Sequence, residues 1–372
     1  MNSAESTVGG GTAPRRPGEQ DVRESLSNTT LHLILMPTEA CNFRCVYCYE
    51  HFQYKRMEAP VVQGVKALIS KRASGLRRLS LGWFGGEPLL AFDIIEDIAS
   101  FAQSCARRYP AIKLFSDITT NAYLLTRSRF GRLLDYGVSR FQISFDGPRE
   151  YHDRKRVLAG GKGTFDRIWA NLLAMRSEPR SFEVLVRLHA DKENQSAIQQ
   201  FLCEFESAFG GDPRYRIFLR PLGRFGGPND EKLHVLEGDE AERVVQSLRD
   251  SAIDRNLSTY APEGSVCYAA RPDSFVIRAN GRINKCTMAL EHPANQVGKI
   301  LEDGTVDVSA EKLMPWARGI LSGNAEQLEC PMMGLAEPGV PGTRSLDLAL
   351  PMQAAPVARW STTLHALERG GL

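Results

Sequence analysis

The sequence predicts an α/β fold, a partial (β/α)6 TIM-like barrel followed by a small α+β extension, and three observations predict it. Short β-rich runs alternate with longer amphipathic ones, the apolar period switching from near two to near 3.6 at each step. Six such strands occur, too few for an eight-stranded barrel but enough for a partial one. After about Pro228 the rhythm stops and the chain changes character.

The elements follow in order. The apolar run LHLILM (31–36) opens the first strand, and a helical pattern over 61–73 leads to the second at 79–84. A helix over 92–108 precedes the strand at 113–118, and one over 127–136 precedes that at 141–145. Helices over 164–175 and 197–209 flank a strand at 182–188, and a sixth strand follows at 216–219. In the extension a helix over 239–255 leads to SFVIRANGRINKC, where Asn280-Gly281 lies between two strand-like runs. That dipeptide predicts a hairpin with a type I′ turn, both of whose central positions need positive φ. The expected division is a polar tail (1–28), a core domain (29–228) and the extension (229–372), whose last forty residues are rich in Gly and Pro.

Composition excludes some classes. Over 372 residues, 46 basic against 44 acidic side chains give a net charge of +2, which supplies no electrostatic case for nucleic acid. No apolar run approaches the roughly 20 residues of a membrane span, and the N-terminus lacks an apolar signal core. The expectation is a cytoplasmic protein with no nucleic-acid or membrane partner. Eight cysteines in a reducing compartment point to metal or reactive thiols before disulfides.

The most informative local feature is TEACNFRCVYCYE, with Cys41, Cys45 and Cys48 spaced Cys-x3-Cys-x2-Cys. A [4Fe–4S] cluster takes one thiolate per iron, so three thiolates hold three irons and leave the fourth open to a chelating small molecule. With His51 the same residues form a Cys3His set that suits a structural zinc, and packing of free cysteines is a third reading.

Parallel α/β barrels bind ligands at the C-terminal ends of their strands, and each further motif falls at such an end. Gly85-Gly86-Glu87-Pro88 follows the second strand and Thr119-Thr120-Asn121 the third. Ser144-Phe145-Asp146-Gly147 spans the end of the fourth, and 187–191 closes the fifth. A Gly-Gly pair lets backbone approach a ligand closely. The Glu87 carboxylate suits a ligand ammonium, and Ser144 and Asp146 suit hydroxyls. Asn121 suits either end of a ligand, and Arg156 and Arg187 suit a carboxylate.

CxxxCxxC with the aromatic Tyr47, GGEP, TTNAYLL, QISFDGPxxYHDxxR and VRLHADKEN together resemble the radical S-adenosylmethionine (radical SAM) superfamily over residues 31–290. The likeness is to the branch with a C-terminal SPASM or twitch extension, which includes peptide maturases and anaerobic sulfatase-maturing enzymes. The resemblance implies a partial barrel and a three-cysteine [4Fe–4S] cluster whose open iron binds SAM. Cleavage of SAM then gives a 5′-deoxyadenosyl radical, fed by an electron donor such as a flavodoxin or ferredoxin. Tyr47, Gly85, Gly86, Glu87, Asn121, Ser144, Asp146, Arg156 and Arg187 become candidate SAM-binding residues, with the ammonium assigned to Glu87 and the ribose to Ser144 and Asp146.

In that branch a cysteine, a spacer, a glycine and a cysteine five residues on begin an auxiliary cluster site. Cys267, Gly281 and Cys286 fit, and Cys330 is the candidate third ligand. Cys330 is followed by Pro331, Met332 and Met333 instead of a Cys-x2-Cys pair, so two complete auxiliary clusters are excluded by counting. Cys105 and Cys203 sit in helical patterns suited to packing. Sulfatase-maturing relatives carry an aspartate after the second cysteine of the pair, where this chain has Thr287, which is no base at neutral pH. The expected function is therefore modification or crosslinking of a ribosomally made precursor peptide, with no catalytic acid or base named. The alternatives are a radical SAM dehydrogenase acting on a small molecule, and a zinc-stabilised binding module.

Overall fold

A computed structural model describes residues 26–261, 266–332 and 335. The expected tail up to residue 25, and nearly all of the chain after 332, lie outside the described residues. In chain order the elements are β1 (Thr30–Thr38), β2 (Phe43–Cys45), α1 (Ala59–Arg72), β3 (Arg78–Gly85), α2 (Phe92–Arg108) and β4 (Lys113–Thr120). Then come α3 (Arg127–Asp135), β5 (Val138–Phe145), α4 (Arg149–Lys155), β6 (Arg156–Leu158), α5 (Phe165–Met175), β7 (Glu183–Ala190), α6 (Gln195–Phe209) and β8 (Tyr215–Pro221). The remainder is α7 (Gly238–Asp254), β9 (Ser274–Ile277), β10 (Arg282–Asn284), β11 (Gln296–Ile300), β12 (Val306–Val308), α8 (Ala310–Ser322) and α9 (Ala325–Glu329).

Six strands pair in parallel in the order β1-β3-β4-β5-β7-β8, and they are the six that the periodicity predicts. β7 shows why the pattern was readable. Val184, Val186, Leu188 and Ala190 are fully buried, while Glu183, Arg187 and His189 between them are half-buried. Strand alternation therefore sends one set against the helices and the other into the barrel lumen. α2 buries Phe92, Ile95, Ile98, Ala99 and Ala102 at helical spacing, each isoleucine contributing roughly 1.5–3 kcal/mol. Asp93 in its first turn and Arg107 and Arg108 in its last suit the helix dipole.

The chain beyond β8 continues the same sheet. β9 pairs in parallel with the free edge of β1, and β10, β11 and β12 follow antiparallel. The β9–β10 hairpin corrects the expected turn. Gly281 alone takes positive φ, at 81°, and its N–H donates to the Arg278 carbonyl at 2.9 Å. The turn is thus centred on Ala279-Asn280 with Gly281 as the left-handed residue behind it, the three-residue arrangement and not type I′. Asn-Gly marked the hairpin correctly because either turn needs a glycine there. Among the described residues no helix is long and apolar enough to cross a membrane.

Candidate functional site

The loop after β1 carries the three cysteines to the C-terminal mouth of the barrel. β2 ends on Cys45 and pairs antiparallel with β6, setting Cys45 opposite Arg156. The Cys48 N–H donates to the Cys45 carbonyl at 3.1 Å, and the Phe43 N–H points at Cys41 Sγ, 3.3 Å away. Burial pushes the Cys41 thiol up to about 12 and that of Cys48 to about 11, and nearby Cys45 adds to both. Cys45 is raised by burial too, with Arg156 opposing. His51 is exposed, so it does not join the buried side of this loop. Among the described residues no three His, Cys, Asp or Glu side chains are grouped to hold a single ion. A cluster spreads its ligands, one per iron, and a thiol with a raised pKa binds metal by giving up its proton.

The Gly-Gly pair also answers a packing need that its sequence does not show. Gly85 has φ of 112°, and a Cβ there would lie 2.2 Å from the Thr38 carbonyl oxygen. A Cβ on Gly86 would meet the carbonyl oxygens of Glu39 at 2.4 Å and Ala40 at 2.5 Å. Glycine is required because the cysteine loop itself presses on this turn, so the occupant of that space is backbone and not a ligand.

Glu87 is fully buried. Its Oε1 accepts from Leu89 N at 3.0 Å and Thr120 Oγ1 at 2.7 Å, and its Oε2 accepts from Asn121 N at 2.7 Å. Burial raises its pKa against those hydrogen bonds. The carboxylate thus knots the ends of β3 and β4 together, which a lone GGEP motif did not reveal. Asn121 benefits directly: its Nδ2 donates to Asn42 Oδ1 at 2.8 Å and lies 3.9 Å from Cys41 Sγ. The next residue, Ala122, takes φ of 58°, a strained turn that Asn171 Nδ2 holds through the Ala122 carbonyl at 2.8 Å. Glu87→Gln, with its oxygen kept toward Leu89 and Thr120, sets an amide NH2 against the Asn121 N–H. It is expected to destabilise the fold by about 1–3 kcal/mol, read as a lowered denaturation midpoint.

A second knot ties the loop to β5, β6 and β7. Tyr47 OH donates to Asp146 at 2.8 Å and accepts from Arg156 Nη1 at 2.8 Å, while His189 Nδ1 lies 3.3 Å from the same carboxylate. Burial works against ionisation of Asp146, yet the His189 contact and the Arg156 charge outweigh it and hold the carboxyl below its usual range. His189 is lowered to about 4 by burial and by Arg187, so it is neutral. Arg156 is buried, not the surface residue that a charged position after a short helix suggests, and its Nε has no hydrogen-bond partner. Ser144 faces the lumen half-buried, directly opposite Arg187.

The extension assembles the second cysteine set. Cys267 N donates to the Leu328 carbonyl at 2.8 Å, which ties α9 to the turn that carries Cys267, and Cys330 follows α9 directly. Burial pushes Cys267 up to about 11, and charges on Cys286 and Cys330 add to it, so the three thiols lie within each other's field. Met288 N points at Cys286 Sγ, 3.4 Å away. Thr287 Oγ1 lies 2.8 Å from Tyr268 OH, a neutral pair. Cys105 packs against the core as expected, but Cys203 is exposed on α6 and does not.

Sequence reading missed several groups here. Tyr49 OH lies 3.3 Å from Met288 Sδ and so bridges the two cysteine regions. Glu50, raised to about 8 by burial and then by Glu39, gave no signal beyond its neighbours. Arg278 on the hairpin holds Glu39, two residues before Cys41, with two hydrogen bonds of 2.8 Å. Only three-dimensional pairing reveals that latch, since 239 residues separate its ends. A cavity of about 440 Å³ opens at the opposite, N-terminal end of the strands, lined by His32, Asp117, Arg140 and Tyr268 among others. The strand C-termini and the thiols converge at the other end, where parallel barrels bind their ligands.

A partial parallel barrel with three thiols in the loop after its first strand is the frame of an iron–sulfur enzyme that uses SAM. The radical SAM superfamily profile matches residues 35–194. An uncharacterised protein of Methanocaldococcus jannaschii is 30% identical over 258 residues, 68% of this chain and 84% of that one. A cysteine-type anaerobic sulfatase-maturating enzyme of Clostridium novyi is 24% identical over 231 residues, 59% of each chain. The match thus spans under two thirds of that relative's length.

Two solved structures share the fold. Native anSMEcpe with bound AdoMet and the Cp18Cys peptide superposes with a TM-score of 0.59 at 18% identity, over 77% of this chain and 80% of that one. Streptococcus suis SuiB bound to precursor peptide SuiA gives 0.52 at 15%, over 72% and 62%. The chain belongs to the radical SAM superfamily. It is an enzyme whose cofactors are SAM and a [4Fe–4S] cluster.

Proposed function

We propose that this enzyme abstracts hydrogen from a peptide, most simply a ribosomally made precursor that it modifies or crosslinks. The observation that carries the reading is the assembly of Cys267, Cys286 and Cys330 beside the barrel mouth from three separated segments. A second metal in the extension suits a substrate that must be held as well as attacked. The peptide-bound state of both structural relatives supports the same reading.

Cys41, Cys45 and Cys48 hold the SAM cluster, and SAM on that cluster supplies a 5′-deoxyadenosyl radical when reduced. The residues present fit it: three thiols share one loop, one receives a backbone N–H, and Arg156 offsets the charge beside Cys45. The unpartnered Arg156 Nε supplies a donor for the SAM carboxylate. Ser144 serves the ribose, while Tyr47, Asp146 and His189 fix the wall behind it. Glu87 and the Gly85-Gly86 turn act through position, holding Asn121 and the cysteine loop. Cys267, Cys286 and Cys330 hold one auxiliary cluster. Residues 29–228 form the SAM-cleaving core and residues from 229 the substrate-facing extension.

Thr287, paired with the neutral Tyr268, offers no base, which weighs against aldehyde formation on a sulfatase and for crosslinking. Eight free thiols suit the reducing cytoplasm. The test is anaerobic reconstitution, reduction and SAM, with peptides encoded by short reading frames beside the gene. Hydrogen loss from one peptide, seen by mass spectrometry together with 5′-deoxyadenosine, is the expected result. Turnover on small alcohols or sugars with no peptide changed would replace this reading by that of a small-molecule dehydrogenase.

A further inference from the structure

We infer that Arg187 and Arg220 form an anion-binding pair on the lumen wall that takes a carboxylate of the substrate, an Asp or Glu side chain or a chain terminus. This rests on the peptide reading above and deepens it. Arg187 lies opposite Phe218 in the β7–β8 register, and Arg220 lies one rung higher, opposite His189. The two guanidinium carbons stand 5.9 and 6.0 Å from the centre of the same Phe218 ring. The two cations thus border one ring and each lies in the other's field.

Neither arginine is neutralised by the protein. Among the described residues neither forms an ion pair or a hydrogen bond, in a chain where most buried or half-buried arginines do, such as Arg278 with Glu39 and Arg216 with Glu183. Arg187 Nε is buried without a partner. A buried donor left unsatisfied is costly, so one beside a second unpaired cation is a place for an anion to bind. The field around Arg187 sharpens the point. Burial and the like charges of Arg220 and Arg156 disfavour its cation, and the Tyr49 and Tyr47 phenols beside it are held neutral by burial and carry no charge to offset it. Tyr49 in turn touches Met288, two residues from Cys286. An anion held here therefore lies on the side of the lumen that faces the extension. Arg156, across the site beside Cys45, is left for SAM.

Carboxylate is favoured over phosphate because a peptide carries carboxylates without modification. The planar guanidinium fork also matches them in two-point contact.

Succinate is the probe, titrated into the reconstituted wild-type enzyme with and without saturating SAM, against chloride at equal ionic strength. The readout is the thermal midpoint. At about ten times its dissociation constant, succinate should raise the midpoint by about 2 °C beyond chloride. Arg220→Gln, at an exposed position, should lose most of that gain. In Arg187→Met the anion-free midpoint should rise, because a buried uncompensated cation is gone, and the succinate response should vanish. A merely structural arginine would give the opposite sign. Three outcomes overturn the inference: no response beyond chloride, an undiminished response in both variants, or a response abolished by SAM. The last would assign the pair to the carboxylate of SAM itself. SAM cleavage by the same wild-type sample is read separately. Its absence fails the enzymatic reading, whereas a missing succinate response with SAM cleavage intact fails this inference alone.

Discussion

Alanine at Cys41, Cys45 and Cys48 together reduces 5′-deoxyadenosine production to background while the barrel stays folded. Three irons of the SAM cluster take one thiolate each and the fourth has none, so no partial site survives the triple change. The fold should tolerate it for a reason visible in the structure. The three thiols are only partly buried, and their raised pKa values mean that without metal they are protonated and neutral. Alanine therefore removes little apolar contact and no charge. What shapes the loop lies elsewhere, in the Glu39–Arg278 ion pair, the Tyr47–Asp146 and Tyr47–Arg156 hydrogen bonds and the Glu87 knot. Circular dichroism should match the wild type, and iron content should fall by about four per chain. Native-rate SAM cleavage by this variant would sink the assignment of the site.

How much of this was legible depends on whether a feature is local. The six parallel strands were readable because alternation along β7, or helical spacing along α2, is written in consecutive residues. The end-of-strand motifs were readable for the same reason, since the parallel topology puts every strand terminus on one face. Roles within those motifs were less legible. Gly85 and Gly86 looked like room for a ligand, yet the space is filled by the carbonyls of Thr38, Glu39 and Ala40. Glu87 looked like an open carboxylate, yet its oxygens accept from β4 and from its own turn. Both contacts were hidden for one reason: a motif gives residue types, whereas the packing partners come from segments some thirty to fifty residues away. The Asn280-Gly281 hairpin was found with the wrong turn type because positive φ at one position or at two calls for the same glycine. The lumen arginines and the Glu39–Arg278 latch had no local signature at all. They exist only once strand register and the β1–β9 pairing are set.

The β1–β9 pairing also decides what the extension is for. Because β9 continues the barrel sheet, Cys286 and Cys267 are fixed relative to the SAM-binding end by backbone hydrogen bonds and the buried Arg278 ion pair. Cys330 is held differently, through α9, by the Cys267 N–H bond to the Leu328 carbonyl and by Arg318 of α8 donating to the Pro331 carbonyl. A metal shared by the three thiols therefore joins the sheet to the α8–α9 segment, and its binding energy becomes folding energy for that segment. Reconstituted wild type should hold about eight irons, from two [4Fe–4S] clusters. The variant with alanine at Cys267, Cys286 and Cys330 should hold about four. It should keep measurable SAM cleavage, since none of those residues touches the first site, and lose product formation. Its α8–α9 segment should exchange amide hydrogen faster while the barrel strands keep their protection. Iron near four per chain in carefully reconstituted wild type would show that the extension binds no cluster. The field shared by its three thiols would then be a consequence of packing, and the enzyme would work with the SAM cluster alone.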